Sequence, residues 1–310
     1  MIIGKGEIVN NPHDKLFKET MTRRENALSF FREYLPADVV SQADWRTLRI
    51  VKETFVEPEL KERFSDVAYE VRLGGRASFV YLLFEHQSRH DRLMPLRFHH
   101  YMGGLWDLWV KQNPGRFVLP AVVAILFYHG REKWSTGTQF QDMVETSPLT
   151  EKYVPKFEYV LRDLSEFGDE DVKGNVALRL FIDVSRRIFR PDFGERFDEL
   201  LPLFAELSRK RTGMEYLETV LRYVYEVRDD VDPKETENKL VGVVDEEAKE
   251  GVVTVAEKLR KEGEIRGRIE TCRELLAGGP LSREALERKL AELERKLREI
   301  GEEGREDGER

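Results

Sequence analysis

Apolar residues recur at helical intervals between Pro12 and Tyr34, where Phe17, Met21, Leu28, Phe31 and Tyr34 stand among charged side chains. This spacing predicts one amphipathic helix. The pattern then shortens. Thr47–Val56, Phe64–Leu73 and Ala77–Gln87 are rich in β-branched and aromatic residues and read as three strands, the last two joined as a hairpin across Gly74-Gly75-Arg76. Val80–Phe84 is apolar at every position, which predicts a central strand covered on both faces. Leu96, Tyr101, Leu105, Leu108 and Trp109 restore the helical period up to Asn113-Pro114-Gly115. Phe117–Tyr128 is a second buried strand, reached by a helical crossover as parallel pairing requires. The predicted class is therefore α/β, in the order helix, three strands, helix, strand.

Beyond Trp134 strand signals fade, and the chain to residue 232 reads as a helical extension, with Asp229–Pro233 as a linker. The rest reads as a helical tail, 233–310. Within it Leu286, Leu290, Leu293, Leu297 and Ile300 alternate four- and three-residue steps behind Ser282, the spacing of a coiled-coil seam. A self-associating helix, and so a homo-oligomer, is one reading; a helix docked on its own domain is the other. The closing GEEGREDGER has a disordered composition.

Composition narrows the chemistry. No apolar run approaches the roughly 20 residues of a membrane span and the first residues lack a signal-peptide pattern, so no membrane role and a cytoplasmic location are expected. A lone Cys272 excludes an internal disulfide and a multi-cysteine zinc site. Any metal must be held by carboxylates, histidines or backbone oxygens, which suits Mg2+ or Mn2+. The net charge of −8 argues against a protein that coats nucleic acid by bulk electrostatics, but leaves a local cleft open.

The hairpin supplies a candidate site. With the turn centred between Gly75 and Arg76, Asp66 faces Glu85; centred at Gly74-Gly75, Asp66 faces Leu83 and Glu85 becomes a diagonal neighbour. Glu85 and Gln87 share a face by strand alternation. An acid closing an apolar strand is costly without a cation or hydrogen bonds, although ordinary acids at a solvated sheet edge would have the same spacing. All six histidines fall at 13, 86, 90, 99, 100 and 129, near Arg89, Arg92 and Arg97. Tyr128-His129-Gly130 follows a core strand, as a functional loop or as a tight turn needing Gly. Asp163 reads as a further site acid or a solvated helix residue.

Five motifs in order, Asn11–Lys18, Phe64-Ser65-Asp66, Leu82–Ser88, Leu96-Arg97 with Tyr101-Met102, and Phe127–Gly130, resemble the recombination-promoting nuclease family of the PD-(D/E)XK superfamily, also labelled as transposases. Thr254–Gly263 is similar to that family's helical half. The resemblance implies a nuclease-like core over 1–135 and metal-dependent DNA cleavage in recombination or element mobility. It makes Asp66 and Glu85 metal ligands, with the His86 backbone carbonyl and Asp14 beside them. Gln87 stands where many superfamily members carry Lys, and a neutral amide can only hydrogen-bond. Lys15, Lys18, Arg89, Arg92 and Arg97 are the candidate DNA phosphate contacts. A catalytically weak DNA- or partner-binding descendant is the alternative.

Overall fold

The computed structural model describes residues 11–51, 65–85, 91–278 and 283–306. The chain divides into two compact units, 1–196 and 197–310.

The first unit is built on a five-stranded mixed sheet in the order β1-β2-β3-β4-β5. Its strands are β1 (Ala43–Ile50), β2 (Ser65–Leu73), β3 (Arg76–Glu85), β4 (Ala121–Tyr128) and β5 (Val160–Asp163). The β1-β2 and β2-β3 pairs are antiparallel, and β3-β4 and β4-β5 are parallel. β3 is central, as its unbroken apolar run requires. The hairpin turn settles the register. Gly74 and Gly75 have φ of 55° and 78°, the left-handed pair that a two-residue turn demands at both central positions. Leu73 then pairs with Arg76, and Asp66 with Leu83. The pairing that put Asp66 opposite Glu85 would have forced Arg76 into the turn, and it is not adopted.

Several expectations shift. Pro12–Tyr34 is two helices, α1 (Pro12–Met21) and α2 (Arg24–Tyr34), and a short α3 (Ala37–Gln42) leads into β1. The fully buried Asn26 donates its side-chain amide to the Thr20 carbonyl at 3.1 Å, and the Tyr69 hydroxyl donates to the Met21 carbonyl at 2.7 Å. These carbonyls would otherwise continue the helix. Phe117, Val118 and Leu119 are exposed, and β4 begins only at Ala121. The supposed helical extension contributes β5 to the sheet, so the core does not end at 135. Asp232 is a helix cap, accepting from the Glu235 N–H at 2.7 Å, and Asp229–Pro233 is not the division between units.

One sheet face carries Val80, Leu82, Phe84 and Phe127 beneath α1, α2 and α5 (Val176–Arg187), where Phe17, Phe30 and Phe181 close the layer. The other carries Phe79, Tyr81, Leu83, Leu126 and Tyr128 beneath α4 (Met94–Gln112), through Phe98, Tyr101, Leu105 and Trp109.

The second unit is helical: α6 (Leu201–Ser208), α7 (Gly213–Val227), α8 (Pro233–Val243), α9 (Glu246–Gly278) and α10 (Arg283–Glu306). α10 folds back on α9, burying Leu293 and pairing Arg273 with Glu294 at 2.9 Å, while Leu286, Leu290, Leu297 and Ile300 are half-buried. The helix runs to Glu306, well into the end expected to be disordered. Among the described residues no helix is long and apolar enough to cross a membrane.

Candidate active site

The parallel strands end together. Glu85 pairs with Tyr128 and Tyr128 with Asp163, so the ends of β3, β4 and β5 form one backbone row. Open α/β sheets bind ligands at this carboxyl edge. Asp66 enters from β2 at the level of Leu83, which makes Glu85 its diagonal neighbour, at a separation of about 7–8 Å. The side chains of Asp66 and Glu85, and the whole of His86, Gln87, Arg89 and His90, lie outside the described residues.

The first turn of α1 reaches the same edge. Asn11 caps it, its side-chain oxygen accepting from the His13 N–H at 3.0 Å, and Pro12 opens the helix, where its missing N–H is harmless. Phe17 stacks on Phe84 with ring centroids 4.7 Å apart. One helical turn earlier on the same face, His13 meets His129 edge-on at 5.2 Å. Asp14 sits beside it, half-buried, with Oδ1 shielded from solvent.

His129 is buried and sandwiched, at 5.6 Å from Phe84 and 4.7 Å from Phe189. Its Nε2 lies 2.7 Å from the Ser185 carbonyl oxygen. A carbonyl only accepts, so Nε2 carries the proton, and in the neutral ring Nδ1 is the acceptor. Gly130 is explained by space and not by a left-handed turn, because a Cβ there would run into the Tyr128 ring folded beneath it. Sequence flagged His129, but its partners, Ser185 in α5 and Phe189 in the turn just after it, lie some 55–60 residues away and left no local sign.

Asp163 is neither a solvated helix residue nor an open site acid. It closes β5, is buried, and accepts from the Trp134 N–H at 2.7 Å and the Ser165 N–H at 2.9 Å. It pins the loop leaving β4 to the fifth strand. Asp163→Ala strands two amide groups and is expected to destabilise the unit by about 2–5 kcal/mol. Thermal melts of this variant and of Asp163→Asn, which keeps one acceptor oxygen, test it; parental melting of the Ala variant would deny the pin.

Of the candidate phosphate contacts, Lys15 is half-buried and Lys18 and Arg92 are exposed, and none pairs with a carboxylate among the described residues. Arg97 is drawn inward, pairing with Asp91 at 2.9 Å while Asp91 also accepts from the Leu93 N–H. His99 is taken up in packing, in a cluster of three rings with Phe140 and Phe157. Among the described residues no three His, Cys, Asp or Glu groups are arranged to hold a metal ion.

Residues 11–215 match the family model described as "Putative transposase, YhgA-like". The chain belongs to this family. The matched region opens at the Asn11 cap and takes in every strand of the YhgA-like sheet. Recombination-promoting nuclease RpnA of Escherichia coli (strain K12) is 26% identical over 275 residues, covering 87% of this chain and 90% of that protein. Recombination-promoting nuclease RpnD of Escherichia coli O157:H7 is 24% identical over 258 residues, covering 82% and 95%. Inactive recombination-promoting nuclease-like protein RpnE of Escherichia coli (strain K12) is 26% identical over 261 residues, covering 82% and 83%. No solved structure matches the chain.

Proposed function

We propose that the chain is a metal-dependent DNA endonuclease of the PD-(D/E)XK kind, acting in recombination, with Asp66, Glu85 and Gln87 at its centre. The observation that carries the reading is the strand register, which sets Asp66 and Glu85 as diagonal neighbours at the carboxyl edge of the sheet, beside the first turn of α1. Relatives named as recombination-promoting nucleases, aligned over most of both chains, support it.

The donor set fits a hard divalent cation. Asp66 and Glu85 offer carboxylate oxygens, with the His86 carbonyl and Asp14 as further oxygen donors, and cysteine is absent from the region. Bound there, Mg2+ or Mn2+ would supply a water of lowered pKa and offset charge on the phosphate. The remaining work falls to the chain. Gln87 orients by hydrogen bonding alone, the cap at Asn11 fixes the first turn of α1, and the His129 bond to Ser185 holds the β4 loop against α5. Self-association through the α9–α10 hairpin is proposed as the means of bringing two sites to the two strands of a duplex.

A second reading, a DNA- or partner-binding protein without catalysis, is favoured by the equal similarity to a relative named inactive. Purified protein incubated with supercoiled plasmid and with single-stranded DNA separates the two. Cleavage with magnesium or manganese and none with chelator is expected. Binding without cleavage in either metal would leave the second reading.

A further inference from the structure

The aromatic sandwich around His129 does not end at the histidine. Phe189 stacks on His129 at 4.7 Å with 21° between the rings, and the guanidinium of Arg131 lies over the Phe189 ring, 5.2 Å from its centroid. On the inner side, His129 stacks on Phe84, the residue before Glu85. Arg131, Phe189, His129 and Phe84 therefore form one chain of contacts at the carboxyl ends of β3 and β4.

Other basic groups nearby are committed elsewhere. Lys133 pairs with Glu166, and Arg186 and Arg187 are engaged with Asp183 and Asp169. Arg131 is exposed and pairs with no carboxylate among the described residues. A ring face beneath a guanidinium fixes its plane and leaves the N–H edge outward, the geometry for two-pronged contact with a phosphate. Holding it in advance lowers the ordering cost of binding. An acidic site facing a polyanion also needs such an offset, because carboxylates that attract a metal repel the phosphates on either side of the one being cut.

We propose that Arg131, seated on Phe189, is a phosphate contact for duplex DNA and that the bound backbone passes over the end of β4 and the end of α5. This rests on the nuclease reading but names a surface that reading does not contain. The fold supplies its own control. Arg116 is also an exposed arginine over an aromatic ring, 5.9 Å from that of Trp109, with no carboxylate partner among the described residues, but it precedes β4 at the opposite edge of the sheet.

The test is duplex binding by the full chain carrying Glu85→Gln, followed by fluorescence anisotropy across a series of salt concentrations, with thermal melts in parallel. Adding Arg131→Gln should weaken binding and lower the log–log salt slope by about 0.9, one phosphate contact, without moving the melting temperature. Arg131→Lys should hold the slope, and Arg116→Gln should leave slope and affinity unchanged. An Arg131→Gln protein with parental slope and affinity overturns the proposal while cleavage by the wild-type chain keeps the nuclease reading. An equal loss from Arg116→Gln overturns it as general electrostatics. A Glu85→Gln parent that does not bind DNA, together with a wild-type chain that does not cleave it, brings both down.

Discussion

Asp66→Asn and Glu85→Gln are each expected to abolish cleavage while leaving the metal-free protein as stable as the parent, or slightly more so. Each substitution keeps the shape of the side chain and removes a charge, so the effect should fall on the metal and the chemistry and not on packing. The register bears on the size of the stability term. Diagonal and not directly opposed carboxylates repel moderately, and relief of that repulsion is on the order of 1 kcal/mol. Saturating magnesium or manganese should raise the melting temperature of the parent by mass action and do so less for either variant. Gln87→Ala should cripple cleavage, whereas Gln87→Lys should keep some of it if the position faces the scissile phosphate. Wild-type cleavage rates in both acid variants, with undiminished stabilisation by metal, would remove these residues from the site.

The largest stability loss is expected from Phe84→Ala. Phe84 is almost wholly buried and touches rings from four directions: Phe17 of α1 at 4.7 Å, Phe127 of β4 at 5.9 Å, Phe181 of α5 at 6.3 Å and His129 at 5.6 Å. Truncating it opens a cavity that rigid neighbours from three elements cannot jointly fill, at a cost of about 3–5 kcal/mol. In a unit of this size that is a fall of roughly 6–20 °C in melting temperature. Activity should drop further than the folded fraction, since the same ring seats both α1 and His129. Calorimetry of Phe84→Ala beside Phe84→Leu measures the cavity; a loss below about 1 kcal/mol would mean that the layer is less tightly packed than these distances require.

Sequence made the sheet legible where the signal was local and strong. The run Val80–Phe84 marked a central strand, and the crossover length forced β4 to lie parallel to it. It did not choose between two registers, because either turn centre keeps the apolar face inward; the paired left-handed glycines decide it. β5 was missed because four residues that include Arg162 and Asp163 look like neither a buried strand nor an alternating one. Its acid reads as surface until the amides of Trp134 and Ser165 are placed around it. The helix break at Thr22-Arg23 depends on Asn26 and Tyr69 reaching main-chain carbonyls, which apolar spacing does not encode. In the site, His13 and His129 were visible as residue types after a cap and after a strand. That they meet, and that Phe189 and Arg131 extend them outward, depends on contacts between distant parts of the chain.

The distance along the chain between those parts has a consequence for how the protein is made. α1 emerges first from the ribosome, yet Tyr34 waits for Arg162 to bond its carbonyl, Ser29 waits for Asn175, and His129 waits for Ser185. Contacts this far apart slow folding and make it a late event of synthesis, since domains fold as units as they are completed. A nascent chain halted short of Phe189 carries the acids of β2 and β3 but neither the wall behind His129 nor the seat for Arg131. The contacts around His129 are thus completed only when nearly the whole first unit has been made, so an interrupted translation product carries the acids of β2 and β3 without the packing behind His129.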